Sequence, residues 1–354
     1  MFQKRTGRLS RFLDRSVGVL LLLFISIFLR KRIKPDNPQS FCFIKTGGVG
    51  DMVLLSAVIG QVRSKYPSAN MTLVCSPENR EMAEYMTDCR VIAVSHKNPV
   101  QWFSLCRLEK ADVLIDFGAW ARFDAFLSMF VPSDFRMGFK TEKQYRHFCY
   151  DHTVKHSRDK HELDNYYALA EDFCAQTGVL PECETEPDNS VKDMIIMHMY
   201  CAGARYMCRM WSFDNWEKLA KLIKNNGFYL GFTSYGTESD HLKAFLHGKC
   251  ITAQVIADRS PDGLASKFCS CRGVVSVNSG ISHFASACGA KVLELTGSVN
   301  PKRWGTLGNQ IYHVIPPDVK KMLCYGYEKS ADENSMDSVT PEEVFEMVKK
   351  VFPL

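Results

Sequence analysis

Three observations predict an α/β fold of two Rossmann-like halves. Short apolar strands alternate with helix-period segments from Phe41 to about Pro181. The alternation stops in a polar stretch, Glu182–Ser190 (ECETEPDNS), and restarts at Met194. Such wording gives parallel, doubly wound sheets. A chain of 354 residues is long for one domain and comfortable for two. Two such halves describe the arrangement in which a ligand lies in a central cleft between them.

Composition sets the frame. Hydrophobic residues at 46% and charged residues at 23% are ordinary for a globular protein. The net charge of +5 is modest, and no nucleic-acid partner is expected. Fourteen cysteines are scattered without C-x-x-C pairs, which reads as free thiols in a reducing compartment.

Met1–Lys34 differs from the rest. Lys4, Arg5, Arg8, Arg11 and Arg15 precede the apolar run Val17–Leu29, and Arg30, Lys31, Arg32 and Lys34 follow it. Thirteen apolar-run residues fall short of the ~20 that cross a bilayer. The basic residues after the run do not suit a cleavage site. A short helix dipping into an anionic cytoplasmic leaflet is expected, with a helix capping a domain as the alternative. Pro35–Ser40 reads as a linker.

The first chemical stretch is Phe41–Asp51 (FCFIKTGGVGD). A strand, Phe41–Lys45, enters a glycine-rich turn with Gly47, Gly48 and Gly50, where a ligand can approach bare backbone. The following helix carries an apolar stripe at Val53, Leu54, Ala57, Val58 and Val62. Asp51 stands at the helix start, where the dipole favours a carboxylate. It reads equally as an N-cap and as a chemical group. No Lys-Ser/Thr follows the glycines and no G-x-G-x-x-G spacing is present, so neither P-loop nor nicotinamide mechanics fit.

Further strands are expected at Met71–Cys75, Val91–Val94 and Val113–Asp116. Asp116 ends a strand, a place for ligand groups and for turn formers alike. Arg136–His161 is polar and basic. Its histidines, His147, His152, His156 and His161, lack the i, i+4 spacing that would gather a metal, and they read as solvated loop and strand residues. Lys140, Lys143 and Arg146 are available to an anionic acceptor. Asn165–Cys174 reads as the closing helix.

In the second half a strand at Met194–Met199 leads into a loop with Gly203, Arg205 and Arg209. Ser212 opens a helix, a strand at Phe228–Phe232 leads to Glu238, and Val274–Val277 runs into Asn278-Ser279-Gly280. Strand, glycine turn and helix start at Ile281 make an anion socket for a pyrophosphate. Ser279, Ser282 and His283 add hydrogen-bonding groups there, and His283 reads equally as a packed capping residue. Glu238 is placed either to accept from ribose hydroxyls or as a solvated helix-start residue. Thr340-Pro341-Glu342-Glu343 opens a final helix.

Four segments, taken in order, carry a family resemblance: IKTGGVGDMVLLSAVIGQVRSKYP, DVLIDFGAWARFD, CRMWSFDNWEKLAKLIKNNG and VVSVNSGISHFASACGAKVLELTGSVNPKRWGTLG. With them the chain resembles the bacterial lipopolysaccharide heptosyltransferases, glycosyltransferase family nine, over about Phe41 to Gly308. The resemblance implies a GT-B fold and inverting transfer of a sugar, ADP-heptose being the expected donor. It also implies a lipid A-core or related glycolipid acceptor on the cytoplasmic face of the inner membrane. On it, Asp51 matches the proposed general base, Arg209 a donor-phosphate lysine, and Glu238 the ribose ligand. Asn278 to His283 match Asp-Ser-Gly-x-x-His. Asn278 replaces the usual aspartate and Arg209 the usual lysine, and both changes bear on donor identity.

The domain expectation is a membrane-associating segment at 1–34, an acceptor domain at 35–185, a donor domain at 191–315, and a last segment at 316–354 packing back towards the first domain. The mechanism needs neither cofactor nor metal. The alternatives are a catalytically silent, membrane-bound nucleotide-sugar binder and a Rossmann-type oxidoreductase.

Overall fold

The computed structural model describes residues 18–353 except 21, 25, 28–30, 96–97, 204–205, 235–236, 259 and 325–334. The chain divides into two compact units, one ending at Val179 and the other beginning at Leu180. Each is built on one six-stranded parallel sheet.

In the first unit the strands are β1 (Ser40–Lys45), β2 (Asn70–Cys75), β3 (Arg90–Ala93), β4 (Ala111–Asp116), β5 (Ser133–Lys140) and β6 (His152–Lys155), in the order β3-β2-β1-β4-β5-β6. The second unit repeats that order. Its strands are β7 (Met194–His198), β8 (Tyr229–Thr233), β9 (Gln254–Ile256), β10 (Gly273–Val277), β11 (Val292–Leu295) and β12 (Ile311–Val314), arranged β12-β11-β10-β7-β8-β9. Strand order therefore reverses between β1 and β4, and again between β7 and β10. In open parallel sheets the crevice at the carboxyl ends of such a strand pair is where ligands bind.

The helix Val49–Lys65 is buried beyond its expected stripe, with Met52, Leu55, Ser56 and Ile59 also inside. It packs against the helices Arg80–Met86 and Glu162–Ala170. A helix covered on several sides loses its polar face.

The polar segment Arg136–His161 corrects the sequence expectation. It contains most of β5, all of β6 and two buried histidines. His156 Nε2 lies 3.0 Å from Glu162 Oε2, and His161 Nδ1 accepts the N–H of Leu163 at 3.1 Å as a helix cap. Among the described residues no group of three or more His, Cys, Asp or Glu is placed to hold a metal ion.

The final helix is Pro341–Val351. It packs on the helix Phe213–Asn225 within the second unit. Its face Val344, Phe345, Val348 and Val351 joins the core that holds Trp211, Trp216 and Leu219. Trp211 Nε1 donates to Val339 O at 3.0 Å, tying the approach to this helix into the same core. Thr340 caps the helix with Glu343 as the sequence predicts.

Most of the N-terminal basic cluster, Lys4 to Arg15 and Arg30, lies outside the described residues. Residues 18–20, 22–24 and 26 are helical. Among the described residues no helix is long and apolar enough to cross a membrane.

Candidate active site

In the first unit the chemistry gathers where β1 and β4 end. The helix begins at Val49, inside the glycine turn, so Asp51 is its third residue and Gly48 is the N-cap. The Asp51 carboxylate reaches back: its Oδ2 accepts the Gly48 N–H at 2.9 Å. Its Oδ1 accepts from the Tyr166 hydroxyl at 2.8 Å and stands 3.4 Å from Lys45 Nζ. Lys45 is buried, donates to Phe117 O at 3.2 Å, and sits 4.9 Å over the Tyr166 ring. Both carboxylate oxygens are thus oriented, while 24% of the side chain stays open to solvent. That is the condition of a positioned base that a substrate hydroxyl can reach.

The turn depends on space rather than on unusual torsions. Gly48 is extended (φ −77°). A Cβ on Gly47 would stand 2.5 Å from Asp51 Oδ2 and 2.8 Å from Lys45 Cε, so only glycine lets the carboxylate fold over the turn. The buried Asn79 side chain donates to Gly47 O and fixes the turn from the other side.

Beneath lies a buried ionic network. Asp116 Oδ2 meets Arg146 Nη2 at 2.5 Å and accepts from the Tyr150 hydroxyl, while its Oδ1 accepts the Gly118 N–H at 2.8 Å. Arg146, expected to face an acceptor, is instead fully buried in this pair. Burial alone lowers its pKa, but Asp116, Tyr150 and Asp124 together raise it above the usual guanidinium range. Thr46 Oγ1, in the glycine turn, donates to Asp124. Burial, then repulsion from Asp116, lifts the Asp124 carboxyl to about 6.

In the second unit three loops converge at the ends of β7, β10 and β11. Arg209 bridges two of them, donating to Ala202 O at 2.7 Å and to Asn278 O at 3.2 Å. The third enters through Gly297, which has φ +62° and would drive a Cβ into the Cys208 carbonyl. Ser298 N–H donates to that same carbonyl at 3.0 Å. Ser279 caps the helix Gly280–Ala287, its Oγ accepting the Ile281 N–H at 3.3 Å. Ser282 and His283 are buried on that helix. Glu238 lies in the first turn of the helix Thr237–Gly248. After burial, its charge is the second cause that raises the Tyr200 hydroxyl to about 12.

Behind the turn stands a residue that the sequence reading passed over. Glu294, at the third position of β11, is fully buried. Its Oε1 accepts from Asn278 Nδ2 at 3.1 Å, Ser282 Oγ at 2.9 Å and Thr306 Oγ1 at 2.6 Å. Its Oε2 accepts the Thr306 N–H at 3.2 Å and lies 3.0 Å from His313 Nδ1. Burial pushes the carboxyl up, but the His313 hydrogen bond and the nearby charges of His283 and His313 outweigh it and hold the pKa down at about 2. A glutamate inside an otherwise apolar strand (VLEL) was the available signal.

Residues 107–334 match the sequence pattern of glycosyltransferase family 9 (heptosyltransferase). The chain belongs to that family. No curated protein matches it. Solved structures do. The E. coli ADP-heptose lipopolysaccharide heptosyltransferase II aligns at TM-score 0.70 and 16% identity, over 88% of this chain and 98% of its own. E. coli heptosyltransferase WaaC with ADP aligns at 0.70 and 15%, over 88% and 99%. A family 9 glycosyltransferase of Veillonella parvula aligns at 0.70 and 15%, over 91% and 99%. At these identities the likeness is one of fold, and the fold is GT-B.

For this family 9 chain the structure groups the expected residues as two sets. Asp51, Gly47, Gly48 and Gly50 share one turn of the first unit. Arg209 and Asn278 to His283 share the loops of the second, and Arg205 lies outside the described residues. The sequence pattern did not disclose Lys45, Tyr166, Asn79 and Glu294.

Proposed function

We propose that the protein is an inverting transferase that moves a sugar from a nucleotide diphosphate donor, ADP-heptose by preference, to a lipid A-core or related glycolipid. The observation that carries the proposal is Asp51. Its carboxylate is oriented by Gly48, Tyr166 and Lys45 and is still open to solvent. As general base it takes the proton from the acceptor hydroxyl while that oxygen attacks the anomeric carbon. The carbon–diphosphate bond breaks on the opposite face, so the centre inverts. A positioned base is worth ~10²–10⁴-fold. The leaving diphosphate takes its stabilisation from Arg209 and the start of the helix Gly280–Ala287, and no step is assigned to a metal. Similar solved structures support the donor: one is E. coli heptosyltransferase WaaC with ADP, another WaaC with ADP-2-deoxy-2-fluoro heptose.

Membrane-surface working, on the cytoplasmic face of the inner membrane, is part of the proposal. It is supported by the basic flanks of the apolar run Val17–Leu29.

Asp51→Asn and Asp51→Ala are the test. Both are expected to keep the ADP-dependent rise in melting temperature and to lose at least ~10²-fold in transfer. Near-normal turnover in either would sink the general-base role. A melting response to UDP or GDP but not ADP would reassign the donor, and a response to NAD alone would favour an oxidoreductase.

A further inference from the structure

The first unit has a cavity of about 340 Å³ whose lining includes Ser26, Lys31, Arg32, Arg136, His147 and Asp151. Arg32 is bonded to the carbonyls of Ser133 and Asp134 at the start of β5, and Asp151 immediately precedes β6. In a parallel sheet this is the opposite edge from the turn that carries Asp51.

Its charge is lopsided. Lys31, Arg32 and Arg136 face one carboxylate among the described lining residues, Asp151. Asp151 is already engaged, accepting the backbone N–H of Arg32 at 2.9 Å and of Arg136 at 2.7 Å. Arg136 is buried, and its guanidinium donates to the carbonyls of Ser128 at 3.1 Å and Val131 at 2.9 Å. Burial, then the neighbouring charge of Arg32, lowers its pKa below the usual guanidinium range, as for a cation short of counter-charge.

A second observation comes from the segment just before Lys31. Leu22 is buried against Ala125, Cys149 and Tyr150, two of which also line the cavity. Leu20, Leu23, Phe24 and Ile27, at i, i+3, i+4 and i+7, are 70%, 37%, 62% and 76% exposed. A helical stripe of that spacing normally faces a core. Here it faces outward, and Ile33 beyond it is exposed as well. Ser26 lies between the stripe and the cavity and lines the latter.

We propose that this cavity binds the phosphate of an anionic phospholipid headgroup while the stripe from Leu20 to Ile27 enters the same leaflet. The inference deepens the membrane-surface part of the proposed function and rests on it. A free anion would need only the cavity. A lipid matches both features, because its charge and its chains are joined at the depth that an interfacial helix reaches. The basic edge then holds the enzyme on the leaflet from the side opposite its catalytic turn.

The test uses the full chain and vesicles of phosphatidylcholine with or without phosphatidylglycerol, followed by sedimentation. Wild type is expected to bind the anionic vesicles at least ten-fold more tightly. Lys31→Gln, at an exposed position, is expected to weaken that binding about five-fold, and Lys31→Arg to preserve it. Phe24→Ser with Ile27→Ser is expected to weaken binding to both kinds of vesicle. Dihexanoyl phosphatidylglycerol below its micelle concentration is expected to raise the melting temperature of wild type and much less that of Lys31→Gln. An equal rise with inorganic phosphate would make the cavity a free-phosphate site and overturn the lipid. Vesicle binding without any response to the short-chain lipid would remove the cavity's role and leave the membrane reading standing. No vesicle binding at all would remove both, without touching the transfer chemistry that the Asp51 variants report.

Discussion

The amide of Asn278 donates to the buried carboxylate of Glu294 at 3.1 Å. Family resemblance leads one to expect aspartate at position 278, and the pair explains why asparagine stands there. An aspartate would place a second carboxylate, which cannot donate, against one that is fully buried and ionised. Asn278→Asp is therefore expected to cost roughly 3 kcal/mol in urea unfolding at pH 8. Adding Glu294→Gln should recover part of that loss, because the glutamine amide can then donate to the introduced carboxylate. The coupling from a double-mutant cycle is the measurement, and additive losses would show that the two side chains do not interact.

The same buried glutamate gives a pH signature. The Glu294 pKa falls from an ordinary 4.5 to about 2 in the folded protein. The unfolded chain thus binds its proton first as pH drops. Its contribution is present above pH 4.5 and is lost as pH falls through 2. His198 behaves alike at higher pH. Burial lowers it from 6.5 to about 4, so its share is lost as pH falls between those values. Asp124 has the opposite sign: raised from 3.8 to about 6, it favours the fold below 3.8 and loses that share as pH rises through 6. Comparing Glu294→Gln with wild type isolates the first window. The stability gap should be widest above pH 4.5 and close towards pH 2. A constant gap across that range would mean the carboxylate is not held by its charge.

Tyr166 orients Asp51 through one hydrogen bond of 2.8 Å while being buried in the first unit's core. Tyr166→Phe keeps the packing and removes only that donor. Transfer is expected to fall about ten-fold with little change in donor KM, for a net hydrogen-bond loss of ~1–2 kcal/mol felt by Asp51 in its proposed role. A change in KM with kcat intact would assign Tyr166 to substrate binding instead.

Local patterns exposed the strand–turn–helix pairs, because each is written in consecutive residues such as KTGGVGD or VNSGIS. Partners far apart in sequence were hidden. Asp116 and Arg146 meet across 30 positions, and Asp51 and Tyr166 across 115. Strand β5 reads as a polar segment because it carries Arg136 and Lys140, yet Arg136 points inward onto carbonyl oxygens. The destination of the last helix was equally hidden, because its apolar stripe says that it packs but not upon what.

Gly47→Ala tests whether the glycine turn serves the carboxylate. The added methyl would stand 2.5 Å from Asp51 Oδ2, nearer than any carbon can rest, so the carboxylate must move. A shift of about 1 Å at a reacting group costs on the order of 10²-fold in rate. Transfer should drop by that factor while ADP still raises the melting temperature. Unchanged transfer would mean that the acceptor meets Asp51 in another rotamer.

Arg146 shows how much of this turn is held from below. Its pair with Asp116 is fully buried, and the network reaches the turn through the neighbouring Asp124 and its bond to Thr46. Arg146→Met leaves the buried Asp116 carboxyl beside Asp124 with, among the described residues, Tyr150 and the Gly118 N–H as its remaining donors. A loss of about 3–5 kcal/mol in urea unfolding is expected. Arg146→Met with Asp116→Leu removes both charges and should be less damaged than the single variant, because no bare charge remains. Were the double variant the weaker one, the pair would contribute net stability beyond mutual neutralisation, and the turn above it would depend on the ionic contact itself.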